Sequence, residues 1–332
     1  MTTAAFTAAA LRALLAADQV THVPGVYDPI TASLAVRAGH QAVHLSAAAV
    51  AAIALGRPDL GYAHATQIAD RASTLVPALD GVPLLADADI GYSEPGHAVW
   101  TGLAYARAGV SGLCLDDRVG PKRWGEPVGK EVVSVALATE TISALADQVP
   151  HLALIARTDA YAENGLAETV RRCRAYAGAG ADAVHPEGVE SLDELAALHR
   201  ALPGVPIVIS HSEAAGARPP HADADLARVG VRLVLHPLTA LLAAVRAASL
   251  TYRAIAESGS TDSGSTDSGS TDSGSTELSS TESSSAGADS GSARSRSAAA
   301  VDRMPWAVFT TLTGQRKTAD PDERYVPGNL QT

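Results

Sequence analysis

Leu84-Leu85-Ala86-Asp87-Ala88-Asp89-Ile90-Gly91-Tyr92 is an apolar run that ends in two acids spaced two apart. Such a run reads as a strand, and residues two apart on a strand face the same side, so both carboxylates turn one way. At the carboxyl end of a strand in a parallel barrel they stand where active sites are built. A second acidic strand end follows at Gly112-Leu113-Cys114-Leu115-Asp116-Asp117. Three or four carboxylates converging without cysteines or histidines to balance them favour a hard divalent cation, most simply Mg²⁺. The same pair of acids would also suit capping of the next helix or holding a turn. The second acidic end weighs towards the cation.

Working outward, short β-like runs recur at 22–27, 42–46, 84–89, 112–116, 152–157, 183–187, 207–210 and 233–236, with Ala-rich helical stretches between them. Strands that alternate with helices predict parallel β/α units. Eight such units over about 250 residues is the size of a closed (β/α)₈ barrel of the TIM type. Gly39, Gly109, Gly180 and Gly230 each stand just before a strand and read as repeated helix C-caps. A doubly wound open sheet is the rival, but no Gly-x-Gly-x-x-Gly turn follows the first strand.

The chain has 332 residues, 46% of them apolar and only 4% aromatic, so its core must be built from Ala, Leu and Val. A formal charge of −11 argues against nucleic-acid and anionic-membrane partners. Cys114 and Cys173 form neither a disulfide framework nor a metal-ligand spacing, which suits a reducing, cytoplasmic setting. Met1-Thr2-Thr3-Ala4-Ala5-Phe6 lacks the charged start of a signal peptide, and no apolar run approaches a membrane span. Residues 4–17 read as an amphipathic helix. The expected barrel occupies 1–257. From 258 to 297 the composition collapses to Ser, Gly, Thr, Ala and acids with a Ser-Thr-Asp-Ser-Gly repeat, which predicts a disordered linker. Such a tether spans roughly 35 Å r.m.s., enough for the expected helical arm at 298–332 to dock on its own barrel or a neighbour's.

These features carry a family resemblance. In order, the segments are Pro24-Gly25-Val26-Tyr27-Asp28, His44-Leu45-Ser46, Leu55-Gly56-Arg57-Pro58-Asp59-Leu60-Gly61, Ala86-Asp87-Ala88-Asp89-Ile90-Gly91-Tyr92, Asp116-Asp117-Arg118-Val119-Gly120-Pro121-Lys122-Arg123, Ile155-Ala156-Arg157-Thr158-Asp159-Ala160 and Pro186-Glu187-Gly188. The chain resembles the isocitrate lyase and phosphoenolpyruvate mutase superfamily, in particular its 2-methylisocitrate lyase-like branch. The resemblance covers about residues 10–255, with a weaker match near 301–312. It implies a (β/α)₈ barrel whose last helix is exchanged within a homodimer or homotetramer, Mg²⁺ or Mn²⁺ at the strand ends, and a small carboxylate substrate. By the same resemblance Asp87 is the direct metal ligand, while Asp59, Asp89 and Asp116 hold the ion through water. Asp116 is shorter than the Glu usual at its place. Arg157 would clamp a substrate carboxylate or stabilise the enolate, its planar fork matching two oxygens. An ion pair with Glu187 or Asp159 is the plain structural alternative for Arg157. Ser46 and the amides of Ala47 and Ala48 would receive the other end of a pyruvyl unit. Breaking a bond beside a carboxylate and a carbonyl leaves a pyruvate-type enolate, and a divalent cation is a Lewis acid for its oxygen.

The chain departs from this pattern on the leaving-group side. The loop that reads Lys-Lys/Arg-Cys-Gly-His in isocitrate and methylisocitrate lyases is here Lys122-Arg123-Trp124-Gly125-Glu126. Trp124 stands in the place of the proton-donating cysteine, and an indole has no transferable proton. Lys122, Arg123 and Glu126 remain catalytic candidates on that loop, Glu126 as the general acid, with Trp124 and Gly125 on the substrate side. Cys114 points into the barrel one layer below Asp116 and reads as a core thiol. The Asn-x-Thr/Ser-Glu segment of the family appears as Ser210-His211-Ser212-Glu213, where Ser210 and Ser212 are substrate-side candidates beside Glu187. His44, His185, His211 and His236 fall at four strand ends and suit either a proton-relay set or a reshaped pocket. The expected reaction is metal-dependent carbon–carbon cleavage of a 2-methylisocitrate-like 2-hydroxy acid. The alternatives are a decarboxylase, hydrolase or mutase on oxaloacetate or phosphonopyruvate, and a catalytically silent paralogue.

Overall fold

The computed structural model of the chain describes residues 3–89, 94–119, 131–211 and 221–258. Lys122, Arg123, Trp124, Gly125, Glu126 and Ser212 lie outside the described residues, as do the expected linker from 259 onward and the C-terminal arm.

Eight parallel strands follow one another in space: β1 (Thr21–Pro24), β2 (Val43–Leu45), β3 (Leu84–Asp87), β4 (Gly112–Asp116), β5 (Ala153–Thr158), β6 (Ala183–Pro186), β7 (Ile207–Ser210) and β8 (Val231–His236). β1 pairs with β8, and β2 with β3. The remaining seam, between β1 and β2, is closed by the Gly25–His44 bridge and by Val26 N–H donating to the His44 carbonyl at 2.8 Å. The result is the nearly closed TIM-type barrel that the alternation predicts. Gly25 sits where the chain turns over this seam; a Cβ there would lie 2.0 Å from the Pro237 carbonyl oxygen, so no other residue fits.

Local chemistry explains the elements. The helices are rich in Ala, which loses no side-chain entropy on ordering. All four glycines read as caps take positive φ. At Gly109 (φ +86°) the amide closes the helix Pro95–Ala108 on the carbonyls of Ala106 and Tyr105, a conformation that costs an L side chain roughly 1–2 kcal/mol.

Two apolar layers result. Inside the barrel pack Val23, Leu85, Cys114, Ile155, Val208, Leu233 and Leu235, and the helix Thr3–Ala16 plugs the amino-terminal end with Leu11 and Leu15. Arg12 on that helix fastens the plug by donating to Asp182 at 2.8 Å and to the Leu152 carbonyl at 2.6 Å. Between strands and outer helices lies a second layer that includes Leu45, Ile68, Leu75, Leu84, Tyr105, Leu113 and Ile142. The inner core carries little aromatic volume, as the composition requires.

The chain separates near Ala243 into two compact units. In the second, the described residues are the remainder of the helix Thr239–Ser258, which runs through the first residue assigned to the linker. No described helix is long and apolar enough to cross a membrane.

Cys114 and Cys173 are both buried free thiols, as read from the sequence. Burial raises both above the ordinary thiol range, with Asp116 adding to it at Cys114 and Asp117 at Cys173. A raised folded value stabilises the protein fully below the unfolded thiol pKa of about 8.5 and progressively less as pH climbs above it. The native protein is therefore expected to lose thermal stability between pH 8 and 10 and to leave both thiols unreactive to a disulfide reagent at pH 8 until it is denatured. Stoichiometric labelling of the native state would contradict this burial.

Candidate active site

The carboxyl ends of the strands enclose a cavity of about 240 Å³. Its wall carries five carboxylates (Asp59, Asp87, Asp89, Asp116 and Glu187), two guanidiniums (Arg118 and Arg157), two imidazoles (His44 and His185) and the hydroxyls of Ser46 and Ser210. The four acids expected to hold a cation are thus brought to one cavity, together with Arg157, Glu187, Ser46, Ala48 and Ser210 from the substrate-side set. Five acids against two arginines leave a formal surplus of negative charge, which is the electrostatic setting that attracts a cation.

The route by which these acids arrive differs from the sequence reading. β3 ends at Asp87, so the two acids do not share a strand face through alternation. Asp89 instead stands in the left-handed region at φ +42°, a conformation Asp tolerates better than most residues. Its carbonyl accepts from the Asp116 amide at 2.6 Å, and Ala88 N–H donates to the Cys114 carbonyl at 2.8 Å. The turn is therefore fastened to β4. Asp59 arrives from a short helix (Ala47–Val50) that widens into a π turn (Ala51–Leu55) and stops at Gly56 with φ +59°. Such irregular turns are frequent at functional sites.

Asp87 is the most heavily held group. Its Oδ1 lies 2.9 Å from His44 Nε2; its Oδ2 accepts from the Ser46 hydroxyl at 3.2 Å and from Ala47 N–H at 3.0 Å. Ala48 N–H donates to Ser46 Oγ at 3.3 Å. The donors expected to receive a pyruvyl unit are therefore engaged by Asp87 and by one another, because Ser46 caps the helix that begins at Ala47. His44 is buried, and its Nδ1 has no hydrogen-bond partner.

Arg157 combines both readings given for it. Nη2 lies 3.2 Å from Asp159 Oδ1, Nη1 3.6 Å from Glu187 Oε2 and Nε 3.5 Å from Asp116 Oδ1, while the side chain also lines the cavity. Burial opposes its charge most strongly, yet Asp116, Asp159 and Glu187 together outweigh burial and hold the guanidinium protonated. Nε is buried and has no hydrogen-bond partner, its nearest carboxylate oxygen being Asp116 Oδ1 at 3.5 Å. Arg118, absent from the sequence-derived site, stands 3.6 Å from Asp159 and lines the same wall.

Asp117, the acid that follows Asp116, does not line the cavity. Alternation turns it to the far side of β4, where it accepts from Thr158 Oγ1 (2.6 Å), Tyr176 OH (2.6 Å), Arg172 Nη1 (3.0 Å) and Asp159 N–H (3.0 Å). The four histidines do not form one set either. His44 and His185 line the cavity, whereas His236 meets His22 at 2.8 Å on the outer face of the β1–β8 pair, with Asp223 3.1 Å from His22 and the His211 ring 5.5 Å from that of His236. Cys114 is a core thiol as expected, and it touches His185 Nδ1 at 3.7 Å.

The donor chemistry suits a hard cation: among the described lining residues oxygen donors are in excess and no thiolate is present. Among the described residues no three of His, Cys, Asp and Glu stand close enough to enclose an ion directly. An ion at this wall would be one with few direct protein ligands and water completing its shell, a manner of binding open to Mg²⁺.

Comparison with known proteins adds the following. The family model for phosphoenolpyruvate phosphomutase matches residues 11–256. The 2-methylisocitrate lyase of Bacillus subtilis (strain 168) is 35% identical over 249 residues, spanning 75% of this chain and 81% of that protein. A crystal structure of 2,3-dimethylmalate lyase, a PEP mutase/isocitrate lyase superfamily member, superimposes with a TM-score of 0.72 at 32% identity over 78% of this chain and 87% of the other. Oxaloacetate acetylhydrolase in complex with the product oxalate gives a TM-score of 0.71 at 31% identity, over 77% and 89% of the two chains.

Proposed function

Because the chain belongs to the phosphoenolpyruvate mutase and isocitrate lyase superfamily, we propose that it is a Mg²⁺- or Mn²⁺-dependent carbon–carbon lyase acting on a small 2-hydroxy di- or tricarboxylate of the 2-methylisocitrate kind. The observation that carries this reading is the meeting of Asp59, Asp87, Asp89 and Asp116 with Arg157 in one cavity at the carboxyl end of the barrel. Relatives named as lyases at about a third identity support the reaction class.

In this reading Asp87 binds the cation directly and Asp59, Asp89 and Asp116 act through water. When bound, the cation supplies Lewis acidity for an oxygen that gains negative charge. The protein's own residues do the rest. Arg157 holds a substrate carboxylate in its fork, with Glu187 and Ser210 beside it. Ser46 and the amides of Ala47 and Ala48 take the other carboxylate, Ser46 and Ala47 giving up part of their bonding to Asp87 and Ala48 its bond to Ser46 Oγ. Lys122, Arg123 and Glu126 remain the catalytic candidates in the sequence after β4, with Trp124, Gly125 and, after β7, Ser212 as substrate-side candidates. In cleavage the 2-hydroxyl loses its proton, the carbonyl of a 2-oxo acid forms, and the electron pair of the broken bond stays on the carbon beside the second carboxylate. The pyruvate-type enolate expected from sequence is instead the species formed when a 2-oxo diacid loses CO₂.

That second reading, a decarboxylase or hydrolase of oxaloacetate-like acids, is favoured by one feature: Trp124 stands where the lyases carry their proton-donating loop cysteine. We also propose a homodimer or homotetramer that exchanges the C-terminal arm, a cytoplasmic setting that suits the two free thiols, and no nucleic-acid or membrane partner. The test is turnover of 2-methylisocitrate, isocitrate, oxaloacetate and phosphonopyruvate with Mg²⁺, following pyruvate, glyoxylate, CO₂ and phosphate. Pyruvate released with a dicarboxylate supports the lyase. CO₂ or oxalate from oxaloacetate supports the second reading, and no turnover of any contradicts both.

A further inference from the structure

Either reaction leaves an electron pair on carbon and needs a proton delivered there, and the described cavity narrows the choice of donor. Its carboxylates are acceptors when ionised, and its arginines do not give up protons. Histidine is the side chain that ordinarily exchanges protons near neutral pH. Of the two imidazoles in the wall, His44 directs Nε2 at Asp87 and leaves Nδ1 buried without a partner. His185 is placed differently. It is 1% exposed, at the end of β6, in register beside Arg157 of β5. Its Nε2 lies 3.2 Å from the Ser210 hydroxyl and 3.4 Å from Glu187 Oε2. Nδ1 faces the Cys114 sulfur beneath it at 3.7 Å.

We propose that His185 is the residue that protonates the carbanionic carbon, and that Cys114 positions its ring from the barrel core. This rests on reading the cavity as a site of carbon–carbon or carbon–carboxylate cleavage. The Cys114 thiol lies in the barrel core with its sulfur 3.7 Å from Nδ1. Its S–H is therefore available to Nδ1, and the neutral ring carries its own hydrogen on Nε2, facing Glu187 and Ser210. In the doubly protonated ring Nδ1–H turns to the sulfur lone pair and Nε2–H stays on the cavity side. In the transfer the Nε2–H bond breaks and a carbon–hydrogen bond forms from the electron pair that the departing fragment or CO₂ leaves behind. The ring is left neutral and takes a new proton from solvent, which also receives the substrate's hydroxyl proton when there is one. Among the described residues the charged and titratable groups around the ring are Glu187 just after its own strand, Arg157 on β5, and Cys114 and Asp116 on β4; β7 contributes the Ser210 hydroxyl.

The experiment compares the Mg²⁺-loaded wild type with His185→Gln, Cys114→Ala and Glu126→Gln on whichever acid of the four-substrate panel turns over. General acid–base groups contribute about 10²–10⁴-fold. His185→Gln should lower kcat at least about 100-fold with KM within about threefold, and it should erase the fall of kcat at alkaline pH. Cys114→Ala should shift that alkaline fall with KM unchanged, an effect that mere loss of packing would not produce. Retention of kcat within about threefold in His185→Gln overturns the proposal, as does an alkaline fall that survives there and vanishes in Glu126→Gln. If the wild type turns over nothing on the panel, the functional reading fails separately. Nitrogen-15 imidazole NMR of the wild type then decides His185: an Nε2–H tautomer that loses its preference in Cys114→Ala supports its role as an oriented proton carrier, and an Nδ1–H tautomer overturns it.

Discussion

Asp87→Ala is expected to lower kcat/KM on the order of 10³-fold or more, since in the proposed reading it removes the direct cation ligand and with it the Lewis acid. The substitution also leaves His44 Nε2, Ser46 Oγ and Ala47 N–H without their shared acceptor. Each stranded buried donor costs about 1–3 kcal/mol, so some loss of stability accompanies the loss of turnover. The two separate cleanly by assaying well below the melting transition, with circular dichroism confirming the folded state. A folded Asp87→Ala protein that keeps more than about a tenth of wild-type turnover removes Asp87 from the mechanism. Asp59→Ala should act more mildly, about 10–100-fold, because a group that reaches the ion through water tunes it without holding it.

The second large effect is on stability. Asp117→Ala should destabilise the fold by about 3–5 kcal/mol, the usual consequence of removing one partner from a buried charge pair. Arg172 Nη1, Tyr176 OH, Thr158 Oγ1 and the Asp159 amide would all lose a common acceptor. Arg172 would keep its contacts with Glu168 at 2.8 Å and with the Val133 carbonyl at 2.9 Å, which limits the damage. At about 2–4 °C per kcal/mol for a domain of this size, the melting temperature should fall by roughly 6–20 °C. Urea denaturation measures it directly, and a change under about 1 kcal/mol would show that the network does not bear on stability. Turnover should fall as well, because the segment that Asp117 pins carries Asp159, which holds Arg157 and Arg118.

How much of this was legible in the sequence follows from the range of the interactions. The barrel was legible because its signals are local: apolar runs at strand length, Ala-rich helices between them, and a glycine where each of several helices must stop. The acids at the strand ends were legible as a set because they close their own runs. Strand bounds moved by a few residues where tertiary bonds decide them. β8 starts at Val231, ahead of the expected 233, because its ladder with Ile207 extends the strand. β3 stops at Asp87, short of the expected 89, because Asp89 leaves the extended region at φ +42°. What escaped was set by partners far apart in the chain. That Asp117 is held by Arg172, 55 positions later, depends on the outer helix that carries Arg172. That His236 turns outward to His22, 214 positions away, depends on the seam between β1 and β8. The contact of Cys114 with His185 needed the barrel interior in three dimensions, though alternation along β4 had already pointed the thiol inward.

The arrangement as a whole is a cavity with excess negative charge that a cation must balance before an anionic substrate can enter beside Arg157 and Arg118. A pocket lined by carboxylates repels a di- or tricarboxylate, and the two guanidiniums alone do not offset five acids. The account therefore requires the ion for substrate binding as well as for bond cleavage, and substrate affinity should collapse together with turnover when a chelator removes it.

Cation binding is measured by titrating the purified, chelator-treated protein with Mn²⁺ and following the free ion by electron paramagnetic resonance. One site per chain is expected, displaced by Mg²⁺ and abolished in Asp87→Ala. Absence of any Mn²⁺ site in the folded wild type, or an undiminished site in folded Asp87→Ala, would contradict cation binding by Asp87.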